Sequence, residues 1–92
     1  MRLDLFLSRA CLQKTRSQAS RSLERGQVRV NGEIPRASRE VHVGDVIDLV
    51  SERREMRVRI LTIPEKNVSR KEARALYETL MDRARPGWEE DE

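Results

Sequence analysis

The apolar residues at the start of the chain predict two short helices. The first helix has the i, i+3, i+4, i+7 spacing of a helix buried on one side, in Leu3, Phe6, Leu7 and Ala10. Thr15 and Gln18 then have the spacing of a capping box, which begins a second helix. Ala19 and Leu23 form the apolar stripe of this second helix, and Gly26 supplies its C-cap. We therefore expect a compact helix–turn–helix unit.

The middle of the chain alternates between apolar and polar residues, as strands do. We expect strands over residues 28–30, around Val41 and Val43, and over residues 46–50 and 56–60. Asn31-Gly32 is the strongest hairpin signal, because both residue types tolerate a positive φ. Pro35 places the returning segment at a sheet edge or in a loop.

A second capping box, from Ser69 to Glu72, predicts a third helix with a long apolar stripe at helical period, in Ala73, Leu76, Tyr77, Leu80, Met81 and Ala84. The fold class that follows is α+β, with two N-terminal helices packed on a short antiparallel sheet and a C-terminal helix. We divide the chain into a domain over residues 1–65, a helix over 66–86 packed on it, and an acidic tail over 87–92.

The composition limits what this chain can do. Of its 92 residues, 37% are hydrophobic and 38% charged, so the interior is too small to enclose a substrate pocket. Cys11 is the single cysteine, which excludes an internal disulfide and a cysteine zinc site, and we expect a small, partly buried thiol. His42 has no partners for a metal set or a catalytic triad and is expected to face solvent. We predict no enzyme, no metal and no cofactor.

Apolar runs in the chain are short. None approaches the roughly 20 residues that span a bilayer. Asp4 and Arg9 interrupt the apolar N-terminal stretch, unlike a signal peptide. We therefore expect a cytoplasmic protein without membrane contact, and a monomer.

Positive charge is concentrated at the N-terminus. Residues 1–30 carry seven basic and two acidic side chains, whereas residues 86–92 carry four carboxylates and no base. A basic block of this kind indicates a polyanionic partner, although a solvated surface has the same composition. The aromatic content of 3% argues against a surface that stacks bases in series.

The candidate phosphate site lies at the start of the second helix. Lys14 and Arg16 flank its N-cap, Thr15, where unpaired N–H groups and the helix dipole favour an anion. Arg16 adds a planar fork that can grip a phosphate at two points. Arg21 lies on the side of the helix away from the apolar stripe and can extend this surface, whereas the neighbouring Arg25 can be merely solvated.

Many positions in the first half of the chain match one family in order and spacing. They are Arg2-Leu3-Asp4, Leu7, Thr15-Arg16-Ser17-Gln18-Ala19, Leu23, Gly26, Val28, Val30-Asn31-Gly32, Val41 and Gly44-Asp45-Val46-Ile47. Over about residues 1–50 the sequence resembles the S4-type RNA-binding domain. Its length and its continuation through Val58 to residues 73–80 resemble the RqcP-like group of small ribosome-associated proteins. A shorter resemblance is to the fifteen-kilodalton heat-shock protein of the same group.

The resemblance implies a small αL-type fold whose helix pair docks on structured RNA. RqcP-like proteins bind stalled large ribosomal subunits that carry peptidyl-tRNA, touch both rRNA and tRNA, and support C-terminal alanine tailing of the nascent chain with a tRNA-recruiting partner protein. The heat-shock relatives bind similar obstructed subunits, but they typically have a long basic C-terminal extension, whereas residues 86–92 here are acidic, which favours the RqcP-like group. Carried over by motif, Arg2 and Arg16 are the expected RNA contacts, with a supporting set of Arg9, Lys14, Thr15 and Ser17.

Three alternatives remain open from the sequence. The same surface would serve a generic rRNA-binding or heat-shock-type large-subunit recycling factor. The helix pair also has the outline of a DNA-binding helix–turn–helix, although its second helix offers only Gln18 as an amide for base-edge contacts. Four arginines of the third strand region form either a second RNA contact or a solvated face: Arg53, Arg54, Arg57 and Arg59.

Overall fold

The computed structural model describes residues 1–84 of the chain. Two helices come first, α1 (Leu3–Arg9) and α2 (Arg16–Glu24), followed by strands β1 (Val28–Val30), β2 (Val46–Val50) and β3 (Arg54–Ile60). A four-residue helix α3 (Arg70–Ala73) continues as a 3₁₀ turn (Arg74–Leu76) into strand β4 (Tyr77–Ala84). The strands form one antiparallel sheet in the order β1-β2-β3-β4. The predicted α+β class is therefore confirmed.

The hydrophobic core joins α1 and α2 to one face of the sheet. Leu3, Phe6 and Leu7 have no exposed surface, as the helical spacing predicted. Ala19 and Leu23 of α2 are buried beside them. The sheet contributes alternate residues to the same cluster, namely Val28, Val30, Ile47, Leu49, Val58 and Ile60. This packing fixes the N-terminal ends of both helices relative to each other.

The tight turn at Asn31-Gly32 forms as predicted. Both residues have positive φ, +51° at Asn31 and +83° at Gly32, and the turn closes through a bridge between Val30 and Glu33. The pairing differs from a simple hairpin, because β1 pairs with β2 and the returning segment does not form a strand. The strand expected around Val41 and Val43 is also absent: Val41 is buried in an irregular segment and Val43 is exposed.

The prediction of a long C-terminal helix is wrong beyond the first helical turns. Ser69 caps α3 as expected, because its hydroxyl accepts from the Glu72 N–H at 3.1 Å, but the helical structure ends at Leu76. The following residues pair with β3 instead, with Tyr77 opposite Ile60 and Thr79 opposite Val58. Without β4, strand β3 would be an edge strand with unpaired backbone N–H and C=O groups. The hydrogen bonds to β4 satisfy these groups, and this tertiary pairing outweighs the helix propensity of residues 77–84.

β4 also contains an irregularity that helical periodicity could not reveal. The register shifts between Arg57 and Val58, so that Thr79 and Met81 are paired and Leu80 between them is the extra residue of a bulge. Leu80, expected on a buried helical stripe, is 44% exposed. The end of the predicted helix, at residue 86, and the acidic tail over 87–92 lie outside the described residues.

Candidate nucleic-acid interface

Arg2 and Arg16 meet at one buried carboxylate. The Asp4 side chain lies in the first turn of α1 and is only 2% exposed. Arg2 donates to it from Nε (3.2 Å to Oδ1) and Nη2 (3.1 Å to Oδ2), and Arg16 donates from Nε to Oδ2 at 3.3 Å. The fork of Arg2 therefore binds Asp4 at two points, and Arg16 joins it from α2.

The backbone around α1 holds Arg2 in place. The first N–H groups of α1 are satisfied by carbonyls of the segment after the turn: Leu3 donates to Arg39 at 2.7 Å and Asp4 to Ala37 at 3.2 Å. Arg2 itself forms an isolated bridge with Glu40. The N-terminal end of α1 is thus enclosed by protein, while the Arg2 guanidinium extends toward α2.

The electrostatic balance at this cluster remains positive. Burial on its own would raise the pKa of the Asp4 carboxyl, but hydrogen bonds from Arg2, Arg16 and the Leu5 N–H outweigh it, so that the pKa lies below its usual value. The carboxylate is therefore ionised at neutral pH and offsets only one of two guanidinium charges. The side chains of Arg2 and Arg16 remain 51% and 49% exposed. The ion pairs thus leave an open positive surface.

The N-terminus of α2 borders this surface. The Thr15 hydroxyl accepts from the Gln18 N–H at 3.1 Å, and the Thr15 carbonyl accepts from Ala19 at 3.1 Å. The N–H groups of Arg16 and Ser17 come before Ala19, the first residue whose N–H has an acceptor within the helix, and both residues are exposed. Together with the exposed side chain of Lys14, they form an anion-binding geometry of the kind that phosphates occupy.

Arg9 and Arg21 have different positions from this central set. Arg9 lies at the other end of α1, about 10 Å along the helix axis from Arg2, and donates to the Pro64 carbonyl at 3.2 Å. Its Nε is buried without an acceptor among the described residues. Arg21 is exposed on α2, one turn after Ser17. The structure thus brings Arg2, Arg16 and the α2 N-terminus together, and gives Arg9 an internal contact.

Asp4 is the residue that sequence reasoning missed as part of the site. It stands in the apolar stretch of α1, between Leu3 and Phe6, and a carboxylate in a buried position is almost always paired with cations. That signal could have predicted which arginines converge. Arg36 and Arg39 were also left out, although their segment supplies the carbonyl groups that cap α1.

The arginines of β3 are occupied by carboxylates on neighbouring strands. Arg57 Nε donates to Asp48 at 2.6 Å, and Arg54 and Arg59 pair with the β4 residues Asp82 and Glu78. Arg83 of β4 forms another cross-strand pair with Glu55 of β3. These pairs neutralise much of the positive charge on the strands, so the sheet offers a mixed, largely balanced surface. Of the two alternatives for Arg54, Arg57 and Arg59, the ion-paired solvated face agrees with this arrangement.

Two other kinds of feature are absent from the part of the chain that the structure describes. Within residues 1–84, no cluster of three or more His, Cys, Asp or Glu side chains is arranged to hold a metal ion. Over the same residues, no helix is both long and apolar enough to cross a membrane.

Comparisons with known proteins agree with this geometry. The sequence model of the S4 domain matches residues 1–47, which include α1, α2 and the whole Arg2–Asp4–Arg16 cluster. No curated protein sequence is significantly similar to the chain.

Solved structures extend the similarity beyond the first half of the chain. Heat Shock Protein 15 of Vibrio cholerae, whose structure is described as trimeric, is 34% identical, with a TM-score of 0.81 over 86% of this chain and 80% of that one. The solution structure of the hypothetical protein HP1423 is also 34% identical, with a TM-score of 0.75 over 88% of this chain and 98% of that one. The chain therefore belongs to the S4 family of RNA-binding domains.

Proposed function

We propose that the protein binds obstructed large ribosomal subunits that carry peptidyl-tRNA, and that it does so through the Arg2–Asp4–Arg16 cluster and the N-terminus of α2. In this proposal it contacts rRNA and tRNA in the cytoplasm as a monomer. It supports C-terminal alanine tailing of the stalled nascent chain together with a tRNA-recruiting partner protein. It contributes binding and positioning, and no catalytic step is assigned to it.

The main observation in favour of RNA binding is that Arg2 and Arg16 share the carboxylate of Asp4. Asp4 holds both guanidinium groups in fixed positions before any ligand arrives, while about half of each side chain stays exposed. Less side-chain entropy is lost when such a pair binds, because the rotamers are already restricted. The outward N–H groups of two fixed arginines can then contact phosphates with a defined separation.

The surrounding surface supports recognition of RNA shape more than RNA sequence. The groups beside the arginines are the exposed N–H groups of Arg16 and Ser17, the Thr15 hydroxyl and the Lys14 ammonium, all of which suit phosphate and sugar oxygens. Aromatic residues, on which splayed bases stack, make up only 3% of the chain. A folded RNA with a rigid backbone, such as rRNA or tRNA, matches these groups best.

The assignment to quality control is supported by the resemblance to the RqcP-like group. The decisive experiment is sedimentation of the protein in sucrose gradients of cells in which translation is stalled. We expect it to migrate with large subunits that carry peptidyl-tRNA and to leave that fraction when puromycin releases the nascent chain. A protein that stays at the top of the gradient under stalling would contradict the proposal.

A second candidate function is favoured by a specific observation. The structural similarity to Heat Shock Protein 15, at a TM-score of 0.81, favours the alternative of a heat-shock-type large-subunit recycling factor. Deletion of the gene that encodes this protein distinguishes the two candidate functions. Loss of alanine tails from stalled nascent chains is expected for the quality-control role, whereas unchanged tails with persistent obstructed subunits would favour the heat-shock-type role.

A further inference from the structure

A basic groove lies between the α1–α2 turn and α3. It has a volume of about 510 Å³, and its walls include Cys11 and Lys14 on one side and Arg70, Arg74 and Tyr77 on the other. We call it the Lys14–Arg74 groove. None of the residues that line it is acidic, and three carry a positive charge.

Contacts behind the groove fix its two walls relative to each other. Arg9, at the end of α1, donates to the Pro64 carbonyl and so holds the segment that leads to α3. Ala73 has no exposed surface and Leu76 is 6% exposed, so α3 and its 3₁₀ turn are anchored in the protein. The backbone N–H groups of Leu61 and Thr62 both donate to the Leu76 carbonyl, at 2.8 and 3.1 Å. The cationic side chains therefore project from a fixed scaffold.

The cations of the groove have no side-chain partner among the described residues. Among residues 1–84, no hydrogen bond or ion pair involves the side chain of Lys14, Arg70 or Arg74. The one carboxylate of α3, Glu72, accepts from the Ser69 hydroxyl at 3.0 Å and is not part of the lining. This contrasts with the arginines of β3, which are paired with carboxylates across the sheet. Unpaired cations gathered around one groove indicate an anionic ligand.

The groove is continuous with the interface already described. Lys14 lines the groove and directly precedes Thr15, the N-cap of α2. A phosphodiester chain that contacts the α2 N-terminus therefore meets Lys14 next and then reaches the arginine forks of α3. Arginine forks suit phosphate oxygens.

We propose that the Lys14–Arg74 groove binds a second stretch of the sugar–phosphate backbone of the RNA held at the α2 N-terminus. This inference rests on the proposed RNA binding and adds a second contact region to it. Arg70 and Arg74 contact phosphates, and Lys14 links the two regions. Cys11 lies in the groove wall and is covered when the RNA is bound.

Cys11 provides a direct test, because it is exposed and is the only cysteine in the chain. The experiment measures alkylation of Cys11 by N-ethylmaleimide, with and without protein-free large-subunit rRNA at a concentration that saturates binding in a filter assay. We expect the bound RNA to slow alkylation at least about fivefold, since thiol reactivity requires access. Bound protein whose Cys11 reacts at its free rate would overturn the inference and leave the proposed function standing.

Two double variants identify the cause of protection. For Arg70→Ala/Arg74→Ala we expect about tenfold weaker binding, a salt dependence reduced by about two units of slope, and loss of Cys11 protection when the RNA is saturating. The charge-matched control is Arg25→Ala/Arg29→Ala, which removes two exposed arginines outside the groove and should retain protection. Full protection in the α3 variant would overturn the inference.

The proposed function fails in a distinguishable way. If wild-type protein does not bind the rRNA in the filter assay, or if Arg16→Ala binds as tightly as wild type, the central interface is wrong and the groove proposal fails with it. If Arg16→Ala weakens binding while the α3 variant neither weakens it nor loses protection, only the groove proposal is wrong.

Discussion

Arg2 and Arg16 donate to the same oxygen, Oδ2 of Asp4, at 3.1 and 3.3 Å. They come from the start of α1 and the first turn of α2, so this one atom fixes how the two helix ends present their charge. A buried acceptor shared by two half-exposed donors orders the donors and offsets only one of their two positive charges. This arrangement is the structural basis of the proposed RNA-binding surface.

Replacement of Arg16 by alanine is expected to weaken RNA binding by about 1–3 kcal/mol, the cost of a charge-assisted contact left unmade. The salt dependence of binding should decrease by about one unit of slope. Titrations of labelled rRNA at several salt concentrations measure both quantities. Arg25→Ala is the matched control, because Arg25 is an exposed arginine at the opposite end of α2. Unchanged affinity and slope in Arg16→Ala would remove this residue from the interface.

Asp4→Asn is expected to destabilise the protein by about 1–2 kcal/mol at pH 7, because hydrogen bonds to a buried charged group are lost. The folded-state pKa of Asp4 is depressed. Its stabilisation is therefore fully present above the unfolded pKa of about 3.9 and is lost as the pH falls through the folded value. Urea unfolding at pH 7 and near pH 2.5 measures the difference between wild type and variant.

The stability measured at low pH shows whether Asp4 stabilises the fold through its charge or only through its shape. The difference in stability between wild type and Asp4→Asn should shrink toward low pH. A difference of equal size at both pH values would show that the charge of Asp4 does not contribute. Glu65→Gln is a useful control, since it removes an exposed carboxylate that has no side-chain hydrogen bond or ion pair among the described residues.

Asn31→Ala tests the turn that ends β1. Asn31 has a φ of +51°, its Nδ2 donates to Asp45 at 3.1 Å, and its Oδ1 accepts from the Val46 N–H at 3.0 Å. We expect a loss of about 1–3 kcal/mol, from backbone strain in alanine and from the missing hydrogen bonds. Asn31→Gly keeps the conformation accessible and should lose less. Equal losses in chemical unfolding of the two variants would exclude the strain contribution, and RNA affinity of the folded variants should not change.

The sequence predicted local structure best where one residue type has a clear physical reason for its position. The stripe of α1, the Thr15 cap and the positive φ at Asn31 all follow from local stereochemistry and burial. The same approach failed for residues 77–84, where apolar residues at helical spacing form a strand because β3 provides a partner. Long-range pairing of this kind leaves no local signal.

The candidate site was predictable in part. The N-cap of α2 and its flanking cations could be placed from the capping box, but the convergence of Arg2 and Arg16 on Asp4 depends on how α1 packs against α2. Cys11 was expected to be partly buried, yet it lies exposed with a φ of +58° in the turn between the helices. The Lys14–Arg74 groove requires α3 to fold back beside that turn, which no local pattern specifies.

The most direct measurement compares the affinity of two double variants for purified large ribosomal subunits at physiological salt. Arg2→Ala/Arg16→Ala removes the proposed contacts, and Arg57→Ala/Arg59→Ala removes the same charge from the ion-paired sheet. We predict at least about thirtyfold weaker binding for the first variant and a change within about threefold for the second. Equal affinities of the two variants would contradict the account.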